Sequence, residues 1–177
     1  MKKIAIIIFV LIVSCDTISN SEANIDSSTF DKNVETLKNN FVQGYIEEDF
    51  DKVISIFADS IKWYGPGVNS EMLEGIDILK ENVTFWMDNF EEISFTEGGG
   101  LPGTDVGFWG GNTYPVSQAM SGQNNVRMYG TWNITNSNTG KKVSFKHYLV
   151  WNFNEDGKVH TVTEYADVGG ILSTFND

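Results

Sequence analysis

A chain of 177 residues, 41% hydrophobic and 13% aromatic, is long enough for one packed domain and too short for two comfortable ones. Its formal charge of -12 argues against nucleic acid and anionic membrane surfaces as partners, because both are polyanions. No basic patch interrupts the acidic composition, which reads as a solvated surface that aids solubility.

The chain opens with Met1-Lys2-Lys3, an unbroken apolar run from Ile4 to Val13, and then Ser14-Cys15. A run this short cannot span about 30 Å of hydrocarbon as a helix, and the two lysines ahead of it complete the shape of a secretory signal. Ile12-Val13-Ser14-Cys15 resembles the lipobox of bacterial lipoproteins, in which the cysteine thiol is lipidated and becomes the first residue. Cys15 is the single cysteine, so no disulfide forms within one chain. The resemblance implies a signal peptide over 1–14 and a membrane anchor at Cys15. The protein would then sit in the cell envelope, on the periplasmic or surface side of a bacterial membrane. The polar, aperiodic residues that follow read as a flexible tether, with Cys15, over 15–28. Residues 29–177 are then the domain.

Phe30, Val34, Leu37, Phe41 and Tyr45 follow the spacing of an amphipathic helix with one buried face. Asp31 and Glu35 near its start suit the helix dipole. Asp49 is placed to cap a short second helix that buries Phe50, Val53, Ile54 and Phe57. Ile61 to Tyr64 reads as a strand stopped by Gly65-Pro66-Gly67, and Ile76, Leu79, Val83, Trp86 and Phe90 form a third helical stripe.

After this stripe the pattern becomes extended. Ile93–Thr96, Tyr114–Met120, Val126–Thr135, Val143–Phe153 and Val159–Ala166 read as strands. Asn136 to Gly140 and Asn154 to Gly157 supply hairpin turns. Helices first and antiparallel strands after predict an α+β fold with helices on one face of a curved sheet. Between Gly98 and Gly111, seven glycines in fourteen residues exclude regular structure. The same stretch has no Lys or Arg and is no phosphate cradle. It reads either as a mobile flap with Phe108 and Trp109 as its apolar tip, or as a long loop whose aromatics tuck onto the body.

Val143, Phe145, His147, Leu149, Trp151 and Phe153 alternate onto one strand face, so a histidine is threaded into an apolar row. The returning strand carries Glu164 and Asp167. Glu164 faces inward in one register and solvent in the next, whereas Asp167 also suits a cap for the turn into Val168-Gly169-Gly170. A metal role is disfavoured: counted by alternation, His160 and Glu164 share one strand face while Asp167 falls on the other. No cofactor motif is present. Nucleophilic catalysis finds no support either, since no serine sits in a Gly-x-Ser-x-Gly elbow.

The run from Gly44 to Asp59 (Gly-Tyr-Ile-Glu-Glu-Asp-Phe-Asp-Lys-Val-Ile-Ser-Ile-Phe-Ala-Asp), then Trp63-Tyr-Gly-Pro, Leu73-Glu-Gly-Ile and Trp151-Asn-Phe-Asn-Glu-Asp-Gly-Lys-Val, with Tyr165 and Asp167, resembles the SnoaL-like branch of the nuclear transport factor 2 superfamily. The likeness runs from Phe30 to Phe175. It implies a cone-shaped α+β barrel: a strongly curved, mainly antiparallel sheet wrapped around N-terminal helices, with a deep apolar pocket open at one end. Ketosteroid isomerases of this fold use a first-helix tyrosine, an aspartate before a proline and a strand aspartate. Here those positions hold Phe41, Gly65 and Leu149, which argues against that mechanism. SnoaL-type cyclases carry an acid seven residues past the turn glycine, a position that falls on Glu164, and a histidine on the preceding strand, for which His147 is the candidate.

The resemblance leaves three functions open. The first is a lipid-anchored protein binding a hydrophobic or aromatic small molecule, with Tyr45, Trp63, Trp86, Trp151, Phe108 and Trp109 as candidate contacts. The second is an isomerase, cyclase or dehydratase in which Glu164 abstracts a proton alpha to a carbonyl and His147 donates to the developing enolate. The third is a non-catalytic, homodimeric accessory lipoprotein. A cavity whose walls are apolar apart from a coupled Glu–His pair would favour the enzyme, and one filled by its own aromatics the accessory role.

Overall fold

The computed structural model describes residues 27–98, 107–110 and 122–176. The signal-like segment, Cys15, most of the tether and the strand expected over Tyr114–Met120 lie outside the described residues.

The first apolar stripe forms one continuous rod: α1 (Ser28–Thr36), a π-helical stretch (Leu37–Val42) and α2 (Gln43–Ile46). Its interior face buries Leu37, Phe41 and Val42. The unpaired amides at its start are met by a distant side chain, with Thr29 and Phe30 N–H donating to Gln123 Oε1 at 3.1 and 3.2 Å. Asp49 caps α3 (Phe50–Ile54) as expected, its Oδ1 accepting the Lys52 N–H at 2.9 Å. The third stripe forms α4 (Ile76–Asn89), burying Leu79 and Val83. It stops one residue short of the expected Phe90, which takes extended angles and opens the next strand. A short α5 (Val168–Leu172) follows the sheet, and Asp167 caps it by accepting the Gly170 N–H at 2.9 Å.

The strands are β1 (Phe57–Tyr64), β2 (Leu73–Glu74), β3 (Phe90–Glu97), β4 (Phe108–Trp109), β5 (Asn125–Asn136), β6 (Lys142–Phe153) and β7 (Val159–Ala166). They form one mixed seven-stranded sheet, in the order β2-β1-β7-β6-β5-β3, with β4 beside the first half of β5. All neighbours are antiparallel except β1 and β7, which run parallel. The α+β expectation holds. The two hairpin turns close as their asparagines suggested: Asn136 Oδ1 accepts from the Asn138 and Thr139 amides, and Asn154 Oδ1 from those of Asp156 and Lys158.

Phe108 and Trp109 depart from the flap-tip expectation and fit the other reading, aromatics held on the body, although as a short strand rather than a loop. They form β4, paired with Met128 and Arg127, and Phe108 is buried in the core beneath the Lys38 ammonium. Two ladder residues are enough to pin an aromatic pair that a glycine-rich sequence context hides. The core runs between the helical rod and the inward face of the sheet, where Leu37, Val53, Met128, Leu149, Trp151 and Val162 have no exposed surface.

Candidate active site

The alternation of β6 turns His147 inward, in a row with Leu149, Trp151 and Phe153. Glu164 arrives on the same face by a different device. Simple alternation from the buried Val159 would aim it outward, but a bulge shifts the β6–β7 register between Asn152 and Phe153. Val159 and Val162, three residues apart, are therefore both buried, and Glu164 follows Val162 inward. The same bulge leaves His160 exposed, so His160 and Glu164 do not share a face. Among the described residues no three metal-ligating side chains come together.

The two oxygens of Glu164 are each engaged by one donor. Oε1 lies 2.9 Å from His147 Nε2, and Oε2 accepts the Trp63 indole N–H at 2.7 Å. Trp63 reaches it because β1 runs parallel beside β7, with Trp63 opposite Val162. The His147 and Glu164 side chains are 9% and 17% exposed. His147 Nδ1 is buried and has no hydrogen-bond partner among the described residues. With Glu164 ionised, Nε2 carries the proton it shares.

This pair opens into a cavity of about 440 Å³. Its walls include Tyr45, Trp63, Trp86, Trp132 and Phe145, and the exposed Ser70, Glu71 and Asn82 also contribute. Burial, and then the negative charge of Glu164, push the Tyr45 phenol well above the ordinary tyrosine range, which keeps its proton in place as a donor.

Five of the residues singled out from sequence meet here: Glu164, His147, Tyr45, Trp63 and Trp86. Three do not. Trp151 has no exposed surface and packs edge-on against Phe41 at 4.6 Å, because the inward row of β6 lies under the helical rod from Leu149 onward. Phe108 is spent on the core. Trp109 stacks on Tyr148 at 5.9 Å, and Tyr148 alternates onto the sheet face opposite His147. Trp132, Phe145 and Phe85 line the cavity without having been singled out as contacts. Alternation in β5 and β6 signals the first two, whereas nothing in the α4 pattern marks Phe85.

No protein-family profile matches the chain, and no curated protein does. Solved structures do. An isomerase candidate from Rhodopseudomonas palustris superposes with a TM-score of 0.60 at 12% identity, over 81% of this chain and 95% of that one. A candidate SnoaL-like polyketide cyclase from Jannaschia sp. CCS1 gives 0.59 at 12% identity, over 81% and 91%. The epoxide hydrolase/cyclase-like enzyme SalBIII, of pyran ring formation in the polyether salinomycin, gives 0.59 at 16% identity, over 78% and 93%. A further neighbour, from Burkholderia pseudomallei K96243, is described only as an NTF2-like protein of unknown function.

The fold is NTF2-like.

Within this NTF2-like frame, the positions assigned to steroid-isomerase acids hold no proton-transfer group. Phe41 and Gly65 line the cavity, and Leu149 is fully buried. The chemistry available instead is that of Glu164, an oriented carboxylate with lone pairs still free. His147 and Trp63 fix its position, and Tyr45 supplies a hydroxyl donor in the same cavity. His147 is turned to Glu164 through Nε2, so it orients that carboxylate rather than presenting the proton to a ligand.

Proposed function

We propose that the protein binds a hydrophobic or aromatic small molecule in the NTF2-like cavity. The observation that carries this reading is an open volume of about 440 Å³ with mainly apolar walls and a few convergent polar groups. Small-molecule sites typically have about 300–1,000 Å³ and this kind of lining. A cavity not filled by its own aromatics also weighs against a purely accessory, dimerising role. Native mass spectrometry of the full-length protein in detergent tests the proposal, with a co-purified ligand of a few hundred daltons as the expected result. An empty cavity, together with no thermal shift against aromatic and polyketide-like compounds, would sink it.

The Glu164–His147 pair favours a second reading, an isomerase, cyclase or dehydratase acting at that carboxylate. Glu164 abstracts a proton alpha to a carbonyl and His147 holds the carboxylate in line. The Tyr45 hydroxyl stabilises the oxygen on which charge develops. The fold neighbours described as isomerase and cyclase candidates lend support to this class without choosing a substrate. Glu164→Gln keeps the shape and removes the base, so turnover of any substrate found should disappear while the fold survives. Undiminished turnover would remove Glu164 from the chemistry.

We further propose that lipidation of Cys15 holds the domain on the periplasmic or surface side of a bacterial membrane. The support is the lysine pair, the short apolar run and Ser14 ahead of a lone cysteine. Among the described residues no helix is long and apolar enough to cross a membrane. Labelling of cells with a fatty-acid analogue should tag the wild type and leave Cys15→Ala untagged. Equal labelling of the two would dismiss the anchor.

A further inference from the structure

The charge inventory of the cavity narrows its ligand class. Its described walls contain two carboxylates, Glu164 and Glu71, and neither lysine nor arginine. His147 is already engaged with Glu164 through Nε2, and its buried Nδ1 has no partner among the described residues. The carboxylate of Glu164 thus faces an apolar, partly enclosed space with an indole and an imidazole beside it and neither lysine nor arginine. Such a group is stabilised by whatever brings positive charge close to it.

The geometry leaves room for that contact. A carboxylate accepts about four hydrogen bonds. Glu164 uses one on each oxygen within the protein, and its side chain retains 17% exposure. Around it stand Tyr45, Trp63, Trp86, Trp132 and Phe145. The faces of such rings carry negative quadrupole density, and they attract an alkylammonium while still packing its hydrocarbon. Acids are disfavoured by the same inventory, since a ligand carboxylate would meet Glu164 and Glu71 with nothing to neutralise it. The chain's formal charge of -12 draws cations toward the protein and repels anions.

We propose that the ligand of this cavity is a hydrophobic amine in its protonated form, its ammonium on Glu164 and its apolar body among the aromatic rings. The inference rests on the reading of the cavity as a small-molecule site and adds the charge of what enters. It excludes fatty acids and other apolar carboxylates as the main ligands.

Three indoles of matched shape separate this inference from the reading beneath it: tryptamine as the cation, 3-ethylindole as the neutral form and indole-3-propionate as the anion. Each is titrated calorimetrically into the full-length protein at neutral pH, up to about millimolar concentration. The expected order is tryptamine tighter than 3-ethylindole by about tenfold or more, with indole-3-propionate weakest. In Glu164→Gln, where the amide still accepts the Trp63 N–H, tryptamine and 3-ethylindole should converge while 3-ethylindole stays within about threefold of wild type. Raising ionic strength should weaken tryptamine alone, a comparison that needs no variant and holds if Glu164→Gln folds poorly. Equal or tighter binding of 3-ethylindole to the wild type would overturn the amine assignment and leave the cavity a hydrophobic site. Preferred binding of the propionate would overturn it outright. Binding of none of the three would overturn both readings.

Discussion

His147 and Glu164 are diagonal, not direct, neighbours across the β6–β7 ladder. His147 stands opposite Ala166 and Glu164 opposite Leu149, yet Nε2 and Oε1 meet at 2.9 Å. Diagonal pairs sit about 7–8 Å apart at the backbone and meet only when long side chains lean toward each other. The single methyl of Ala166 leaves the imidazole room to lean. Ala166→Leu fills that space and part of the cavity, so binding of cavity ligands should fall sharply while the strand itself persists. Titration with the indole probes, checked by circular dichroism, reads both effects.

The hydrogen-bond accounting at His147 makes a spectroscopic prediction. Long-range nitrogen–proton correlation should show Nε2 carrying the proton that faces Glu164. In Glu164→Gln this tautomer preference should weaken. A bare Nε2 in the wild type would contradict the pairing with Glu164.

Gly130 faces inward, opposite His147, in space that the Phe95 ring fills. A Cβ there would lie 2.1 Å from Phe95 Cζ and 2.6 Å from the Thr96 carbonyl oxygen, which is backbone and cannot swing away. Gly130→Ala should cost about 1–3 kcal/mol as an overpacked site. At Gly65 an added Cβ meets nothing within 4 Å, so Gly65→Ala should leave stability nearly unchanged. Denaturant midpoints of the two variants, with equal slopes, make the comparison.

Trp151 and Trp86 should separate packing from binding. Removing the fully buried Trp151 ring should cost about 3–5 kcal/mol, seen as a large fall in the unfolding midpoint. Trp86 is partly exposed at the cavity wall. Trp86→Ala should weaken 3-ethylindole binding severalfold at a smaller cost in stability.

Tyr45 should be visible in an alkaline titration. Its phenol is held above the ordinary value of 10.0 by burial and by Glu164, so the folded state keeps a proton that the unfolded chain releases. The sign follows. This contribution to stability is complete below the unfolded value and declines as pH rises from there toward the folded one. Phenolate absorbance should show one of the six tyrosines titrating last, with unfolding. In Tyr45→Phe that late step should vanish and the alkaline decline should flatten.

Much of this site was legible in the residues, and the reasons differ by strand. The six-residue alternation of β6 aimed His147 inward because period two survives any plausible register of a long strand. It could not say which half of that row faces the cavity, since that depends on where the helical rod crosses the sheet. Trp151 therefore read as a ligand contact and is core. For Glu164 the alternation was broken by the bulge near His160, whose trace in the sequence is the Val159-x-x-Val162 spacing. Phe108 and Trp109 were hidden for another reason: a two-residue strand has no period to detect.

The parallel pairing of β1 with β7 has a consequence for the order of assembly. Trp63 and Glu164 are 101 residues apart, and the Trp63 indole donates to Glu164 only when the two strands lie side by side. The β5–β6 and β6–β7 hairpins are local and quick to form, whereas this closure must wait for the largest loop in the domain. A nascent chain still lacking β7 thus has its histidine and its aromatic wall but not Glu164. The cavity wall is complete only once the last strand has closed against the first.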